Sequence, residues 1–178
     1  MPNTVYIATS LDGYITDRNG GLEWLSRVPN PDGDDLGFAD FMTQIDAVVM
    51  GRTTFEAVQG FGIGWPYPKP GIVLSRTLSD VPKGFEDHVT LMRGKPADIV
   101  EKADALGHKN LYIDGGATIR RFLDADLIDE MILTEIPILL GGGTRLFDLL
   151  DTELAFELDH VEILLRQMVK RHYRRDRS

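Results

Sequence analysis

Apolar residues gather in short runs along the chain: Val5-Tyr6-Ile7-Ala8, Ala47-Val48-Val49-Met50, Ile72-Val73-Leu74, Val89-Thr90-Leu91-Met92, Leu111-Tyr112-Ile113 and Met131-Ile132-Leu133-Thr134. Several are almost continuously apolar, the pattern of strands buried on both faces of a largely parallel sheet. Between them the period lengthens. Over 97–106, Ile99, Val100, Ala103 and Leu106 share one helical face, and Gly107 is placed to end it. Segments 118–125 and 35–45 predict two further helices. Strands alternating with helices predict an α/β sandwich. The C-terminal end differs. Segments 156–164 and 168–173 are β-rich runs joined by Leu165-Arg166-Gln167, and in the second Lys170, His172 and Arg174 alternate with Val169, Arg171 and Tyr173. This predicts a half-exposed strand, so that a mixed, mostly parallel sheet ends in an antiparallel hairpin.

A chain of 178 residues suits one domain, 1–178, and nothing in it reads as a repeat, a low-complexity tract or a linker. Hydrophobic residues at 43% and charged residues at 26% are globular proportions. No apolar run approaches the roughly 20 residues of a bilayer span, so no membrane association is expected. The N-terminal residues lack the basic and apolar regions of a secretory signal, which makes a cytoplasmic address the expectation. There is no cysteine, which excludes disulfides, thiolate metal sites and cysteine nucleophiles. Net charge is −9, unevenly spread: the last thirteen residues carry +5 and the remainder −14. So acidic a body repels a phosphate backbone, and nucleic acid is not an expected partner. The basic end reads either as an interaction arm or as the solvated face of a final strand.

Three segments share one form, a buried strand running directly into Gly or a small polar residue and then a turn or helix. They are Val48-Val49-Met50-Gly51-Arg52-Thr53-Thr54-Phe55-Glu56, Ile72-Val73-Leu74-Ser75-Arg76-Thr77 and Leu111-Tyr112-Ile113-Asp114-Gly115-Gly116-Ala117-Thr118-Ile119. Ligands of open α/β sheets bind at the carboxyl ends of strands. There glycine admits a phosphate close to the backbone, and a helix N-terminus offers unpaired N–H groups. Arg52 and Arg76 add charge-assisted donors. Three such junctions in one acidic domain predict a ligand with several phosphates, such as a dinucleotide. The Gly60-Phe61-Gly62-Ile63-Gly64-Trp65 stretch follows no strand and lacks G-x-G-x-x-G spacing, so it reads as a loop. Leu140-Gly141-Gly142-Gly143-Thr144-Arg145-Leu146-Phe147 reads as a flexible turn.

Met50-Gly51-Arg52-Thr53-Thr54-Phe55-Glu56, together with Ile113-Asp114-Gly115-Gly116 through Arg121-Phe122-Leu123, resembles the two cofactor-binding helix starts of dihydrofolate reductases. Ser10-Leu11-Asp12-Gly13-Tyr14-Ile15, Asn19-Gly20, Trp24-Leu25 and the 140–147 segment resemble the reductase domain of riboflavin biosynthesis. The resemblance implies a dihydrofolate reductase-like three-layer sandwich, NADPH as cofactor, and a homodimer. By carry-over, Gly51, Arg52, Thr53 and Thr54 hold the pyrophosphate and adenosine side. Ser75 and Arg76 hold the 2′-phosphate. Gly115, Gly116, Ala117, Thr118 and Ile119 cradle the pyrophosphate, and Ala8 and Ile15 line the nicotinamide. The implied activity is NADPH-dependent reduction of a pyrimidine or pterin-like heterocycle, with 5-amino-6-(5-phosphoribosylamino)uracil as first choice and dihydrofolate or another pterin as the alternative. Phe41-Met42-Thr43-Gln44-Ile45-Asp46 replaces the riboflavin enzymes' His-x-x-Arg stretch, and no Pro-Trp segment leads into an acid-bearing helix. These departures keep a non-catalytic NADPH-binding sensor among the alternatives.

Hydride transfer to a C=N bond needs a proton at nitrogen, from an acid or an ordered water. Asp35, sixteen residues before Gly51, either caps a helix or serves the substrate. Asp12 is either turn chemistry before Gly13 or an acid beside the nicotinamide. Thr134 is a substrate-side hydroxyl or a buried strand threonine, and Trp24 a substrate-side wall or core. His88, His108, His160 and His172 have no ligand spacing, so no metal site is expected.

Overall fold

The computed structural model describes residues 2–178. Ten strands and four helices follow in order. They are β1 (Asn3–Ser10), β2 (Tyr14–Thr16), α1 (Phe38–Thr43), β3 (Ala47–Gly51), α2 (Arg52–Gly60), β4 (Gly71–Leu74), β5 (Val89–Met92), α3 (Pro96–Ala105), β6 (Leu111–Asp114), α4 (Gly116–Asp124), β7 (Glu130–Ile136), β8 (Thr144–Arg145), β9 (Phe156–Leu164) and β10 (Met168–Arg175). A 3-10 turn, Glu23–Arg27, lies between β2 and α1. All six apolar runs form strands.

The main sheet has eight strands in the order β5-β4-β3-β6-β1-β7-β10-β9. Pairings from β5 to β7 are parallel, while β10 runs antiparallel to both β7 and β9. Strand alternation sorts the core into two layers. Ala47, Val49, Leu111, Ile113 and Val5 face Ile99, Ala103, Ile119 and Phe122 of α3 and α4. Val48, Met50 and Tyr112 face Phe41 and Met42 of α1 and Phe55 and Val58 of α2. The result is a helix–sheet–helix sandwich, as the periodicity predicts.

Two expectations need correction. The helix expected over 35–45 spans only Phe38–Thr43. Leu36 and Gly37 adopt positive φ (58° and 85°), which an α-helix cannot contain. The basic C-terminal strand is not a free arm: it is half-exposed, with Arg174 65% exposed, and most of its charges are paired within the fold. Lys170 is buried and 3.2 Å from Glu162, Arg175 lies 2.7 Å from Asp126 and Arg177 2.7 Å from Asp129, and Arg171 pairs with Glu135. The charge asymmetry of the sequence is thus resolved within the fold.

Candidate cofactor cleft and substrate cavity

β3 and β6 are neighbours, yet α2 leaves β3 on one face of the sheet and α4 leaves β6 on the other. Such a divergence opens a crevice at the carboxyl ends of the two strands. Neither helix start has a side-chain cap: the N-cap of α2 is Gly51 and that of α4 is Gly115. The first three amides of each helix, those of Arg52, Thr53 and Thr54 and those of Gly116, Ala117 and Thr118, therefore have no intrahelical acceptor. The two starts interlock. A Cβ on Gly115, at φ +87°, would collide with Thr54 Oγ1, one on Gly116 would stand 2.6 Å from Ile15 Cδ1, and one on Gly51 3.0 Å from Thr118 Oγ1. The glycines let two helix N-termini and their dipoles converge, an arrangement suited to a pyrophosphate.

The remaining predicted cofactor residues divide. Arg52 sits at the start of α2, bound through Nε to Glu56 at 2.6 Å and through Nη1 to Thr77 Oγ1 at 2.6 Å. Arg76 is exposed at the end of β4, free to approach a ligand. Ser75 is buried, and its Oγ accepts the amides of Thr77 and Leu78, so it shapes the loop that presents Arg76. Ile119 is a correction. Its side chain is fully buried in the core and its amide donates to Gly115 O at 2.9 Å, so nothing of its donor capacity reaches the crevice.

Asp114, the last residue of β6, was not singled out from the sequence. Its Oδ1 accepts the Gly115 amide at 2.8 Å, Tyr67 Oη approaches Oδ2 at 3.4 Å, and burial pushes its carboxyl up from the ordinary range. A carboxyl inclined to stay neutral is compatible with an anion bound next door.

Towards the carboxyl ends of β1 and β7 lies a cavity of about 510 Å³. Its walls are Tyr6 and Ala8 of β1, Thr134 and Ile136 of β7, Leu25, Ser26, Val28, Pro29 and Asn30, Asp35, Leu36 and Phe38, and Leu165 and Met168 of the hairpin. The structure thus brings together Ala8, Asp35 and Thr134. Tyr6, which the sequence reading passed over, shares the Ala8 face by strand alternation. Its hydroxyl donates to Leu36 O at 3.1 Å, and burial raises it to about 12. Trp24 is buried behind this wall, packed with Val28, Ile136 and Met168. It supports the cavity rather than lining it, and its indole Nε1 has no hydrogen-bond partner among the described residues.

Both candidate acids are occupied. Asp35 Oδ1 accepts the Gly37 amide at 2.9 Å and Oδ2 the Ala39 amide at 2.8 Å. The Ala39 and Gly37 hydrogen bonds, with Lys170 nearby, hold its carboxyl below the usual range. Asp12 Oδ1 accepts from Ser10 Oγ at 2.6 Å and the Leu140 amide at 3.1 Å, and Oδ2 from the Gly141 amide at 2.7 Å. The Ser10 bond, followed by the two amides, lowers it to about 2. A carboxylate so held is a fastener, here of the first loop to the glycine segment, and a poor proton donor. That glycine segment is no loose turn. Its β8 pairs with β2 into a small flap, closed by Arg145 over the Tyr14 ring at 4.7 Å.

Comparison with known proteins shows the family and the fold. The family model of the RibD C-terminal domain matches residues 4–170. A Shewanella sp. PV-4 protein named for riboflavin biosynthesis superposes with TM-score 0.97 at 50% identity, covering 99% of this chain and 100% of that one. Bacillus subtilis YwjB is 33% identical over 171 residues, 95% of each chain. Haloferax volcanii dihydrofolate reductase HdrB is 32% identical over 143 residues, 79% of this chain and 69% of that one. The fold is also that of Enterococcus faecalis dihydrofolate reductase in complex with NADP(H), at TM-score 0.67 and 22% identity, covering 98% and 96% of the two chains.

Proposed function

The chain belongs to the RibD C-terminal domain family, and from that membership we propose that it is an NADPH-dependent reductase of a pyrimidine or pterin-like heterocycle. One observation carries the reading: two uncapped helix N-termini converge on a crevice at the carboxyl ends of β3 and β6, and a mostly apolar cavity opens at the same end of the sheet. The amides of Arg52, Thr53, Thr54, Gly116, Ala117 and Thr118 hold the pyrophosphate. Arg76 takes the 2′-phosphate, and Ala8 and Ile15 flank the nicotinamide. When bound, NADPH supplies the hydride.

In the cavity, ionised Asp35 accepts N–H groups of the heterocycle, and Thr134 stands across from it on β7. Neither Asp12 nor Asp35 keeps a proton at neutral pH, so the proton for nitrogen comes from water entering the cavity. Positioning by the protein accounts for the rest of the acceleration.

For 5-amino-6-(5-phosphoribosylamino)uracil the support is the family and the Shewanella relative. A dihydropterin is the second reading, on a specific observation: among the described residues no Lys, Arg or His lines the cavity, and Asp35 is its one ionised wall group. That lining suits a neutral or cationic ring better than a phosphorylated one. A homodimer belongs to the proposal. The β-bulge opposite His172 and Tyr173 puts Leu158, Val161 and Ile163 on one face of the edge strand β9, 55%, 48% and 65% exposed, an apolar row suited to a second copy.

The deciding test is a fluorescence titration with NADPH and NADH on wild type and Arg76→Ala, followed by turnover on both substrates. Micromolar NADPH binding, weaker NADH binding, and loss of that preference in the variant are expected. No binding of either nucleotide at ~1 mM, roughly 4 kcal/mol, would sink the reductase reading.

A further inference from the structure

Two of the four histidines that lack ligand spacing in the sequence, His160 and His172, meet with Glu162 on the C-terminal hairpin. In the β9–β10 register His160 lies opposite His172 and Glu162 opposite Lys170. Side chains two apart on a strand, and those directly opposite across strands, share a face, so His160, Glu162 and His172 converge. One nitrogen or oxygen of each lies within 4.8 Å of the others. His172 Nε2 is 2.9 Å and His160 Nε2 3.7 Å from the same Glu162 Oε1, and the two imidazoles stack with centroids 3.8 Å apart. The residues remain accessible, with side chains 50% (His160), 40% (Glu162) and 21% (His172) exposed.

A second tier of contacts orients this group. The β-bulge leaves Asp159 as an extra residue of β9, and its Oδ2 lies 2.9 Å from His160 Nδ1. A proton held between those two atoms leaves the Nε2 lone pair directed at Glu162, so two acceptors face each other across 3.7 Å. A cation between them resolves that opposition, and carboxylate–histidine pairs of this kind set the tautomer of metal-bound imidazoles. On the other side, Lys170 Nζ, anchored to Leu36 O at 3.0 Å, approaches Glu162 Oε1 at 3.2 Å and holds the carboxylate in place.

We propose that His160, Glu162 and His172 bind a divalent transition-metal ion of the zinc type. Two imidazoles and one carboxylate are the donor set such ions favour over calcium or magnesium. The rings turn out of their stack to direct both lone pairs at the ion, and His172 gives up the Nε2 proton it shares with Glu162. Three protein ligands leave a fourth position, which opens on a cleft of about 420 Å³ walled also by Thr4, Asp40, Gln44 and Glu130. The site lies on the same face of the sheet as the substrate cavity, Tyr6 bordering both, and it is independent of the cofactor crevice.

The test is a Zn(II) titration of the full chain against a chromogenic chelator, on wild type, His160→Gln, His172→Ala and the double variant, with thermal unfolding in zinc or EDTA. One ion per chain, bound at about 10 μM or tighter, is expected, with a zinc-dependent rise in Tm. Each single variant should weaken binding at least tenfold, as should Asp159→Asn, and the double variant should abolish it. NADPH binding should not change in any of them, which separates this site's failure from that of the reductase reading. An absence of zinc binding at ~1 mM, or undiminished binding in a double variant whose EDTA unfolding curve matches wild type, would overturn the proposal. Loss of binding on His88→Ala,His108→Ala instead would place the ion elsewhere.

Discussion

Asp12 illustrates how a residue's neighbours decide what it does. Read from the sequence as either turn chemistry or an acid beside the nicotinamide, it gives its oxygens to one hydroxyl and two amides and joins segments more than a hundred residues apart. Its folded carboxyl titrates near 2 against 3.8 for the free group. The folded state therefore binds the proton less readily, and the associated stability is present above pH ~4 and lost as pH falls toward ~2. Acid unfolding of wild type and Asp12→Asn should show this as a gap in Tm at pH 5–7 that closes over that window. A constant gap would mean that the charge plays no part. Gly143 is as constrained, at φ +130° with the Thr16 carbonyl oxygen where a Cβ would go. Gly143→Ala should open the β2–β8 flap and expose its amides to hydrogen exchange while the main sheet stays protected.

The hairpin between β9 and β10 turns through Leu165 and Arg166, both non-glycine residues at positive φ (48° and 60°). Two-residue turns of this hand favour Asn-Gly, and each bulky residue there carries strain of about 1 kcal/mol. Arg166→Gly should relieve one such cost and raise Tm by roughly 2–4 °C; an unchanged or lower Tm would show the turn to be unstrained. Leu165 and Leu36, another positive-φ residue, both line the 510 Å³ cavity, and backbone strain is commonly stored at functional sites. At this scale the sequence was legible where elements are long or apolar. The six strands and helices α3 and α4 follow from their periods. β2 and β8, three and two residues long, have no period to read, and the left-handed residues that shorten α1 include a leucine, which advertises nothing.

For the molecule as a whole, the proposed dimer makes a measurable demand. Ile163→Glu, on the exposed row of β9, should convert a dimer to monomer in sedimentation velocity without altering the far-UV spectrum. A wild-type chain that sediments as a monomer would remove the dimer from the proposal. Sequence alone determined the sandwich, the glycine junctions and the acidic balance, because burial on two faces, close backbone approach and net charge are written in residue type and local order. It also offered Ala8, through resemblance, and Asp35 and Thr134, each beside a structural alternative, as candidates, and the fold brings the three to one cavity. What only the tertiary structure decided depends on register and on partners distant in the chain. Such are the use of both candidate acids as hydrogen-bond anchors, the loss of Ile119 to the core, the neutralised basic strand, and the meeting of His160, Glu162 and His172. A carboxylate's proton affinity and a histidine's neighbours are set by groups that folding brings within a few ångströms, and linear spacing does not encode that distance.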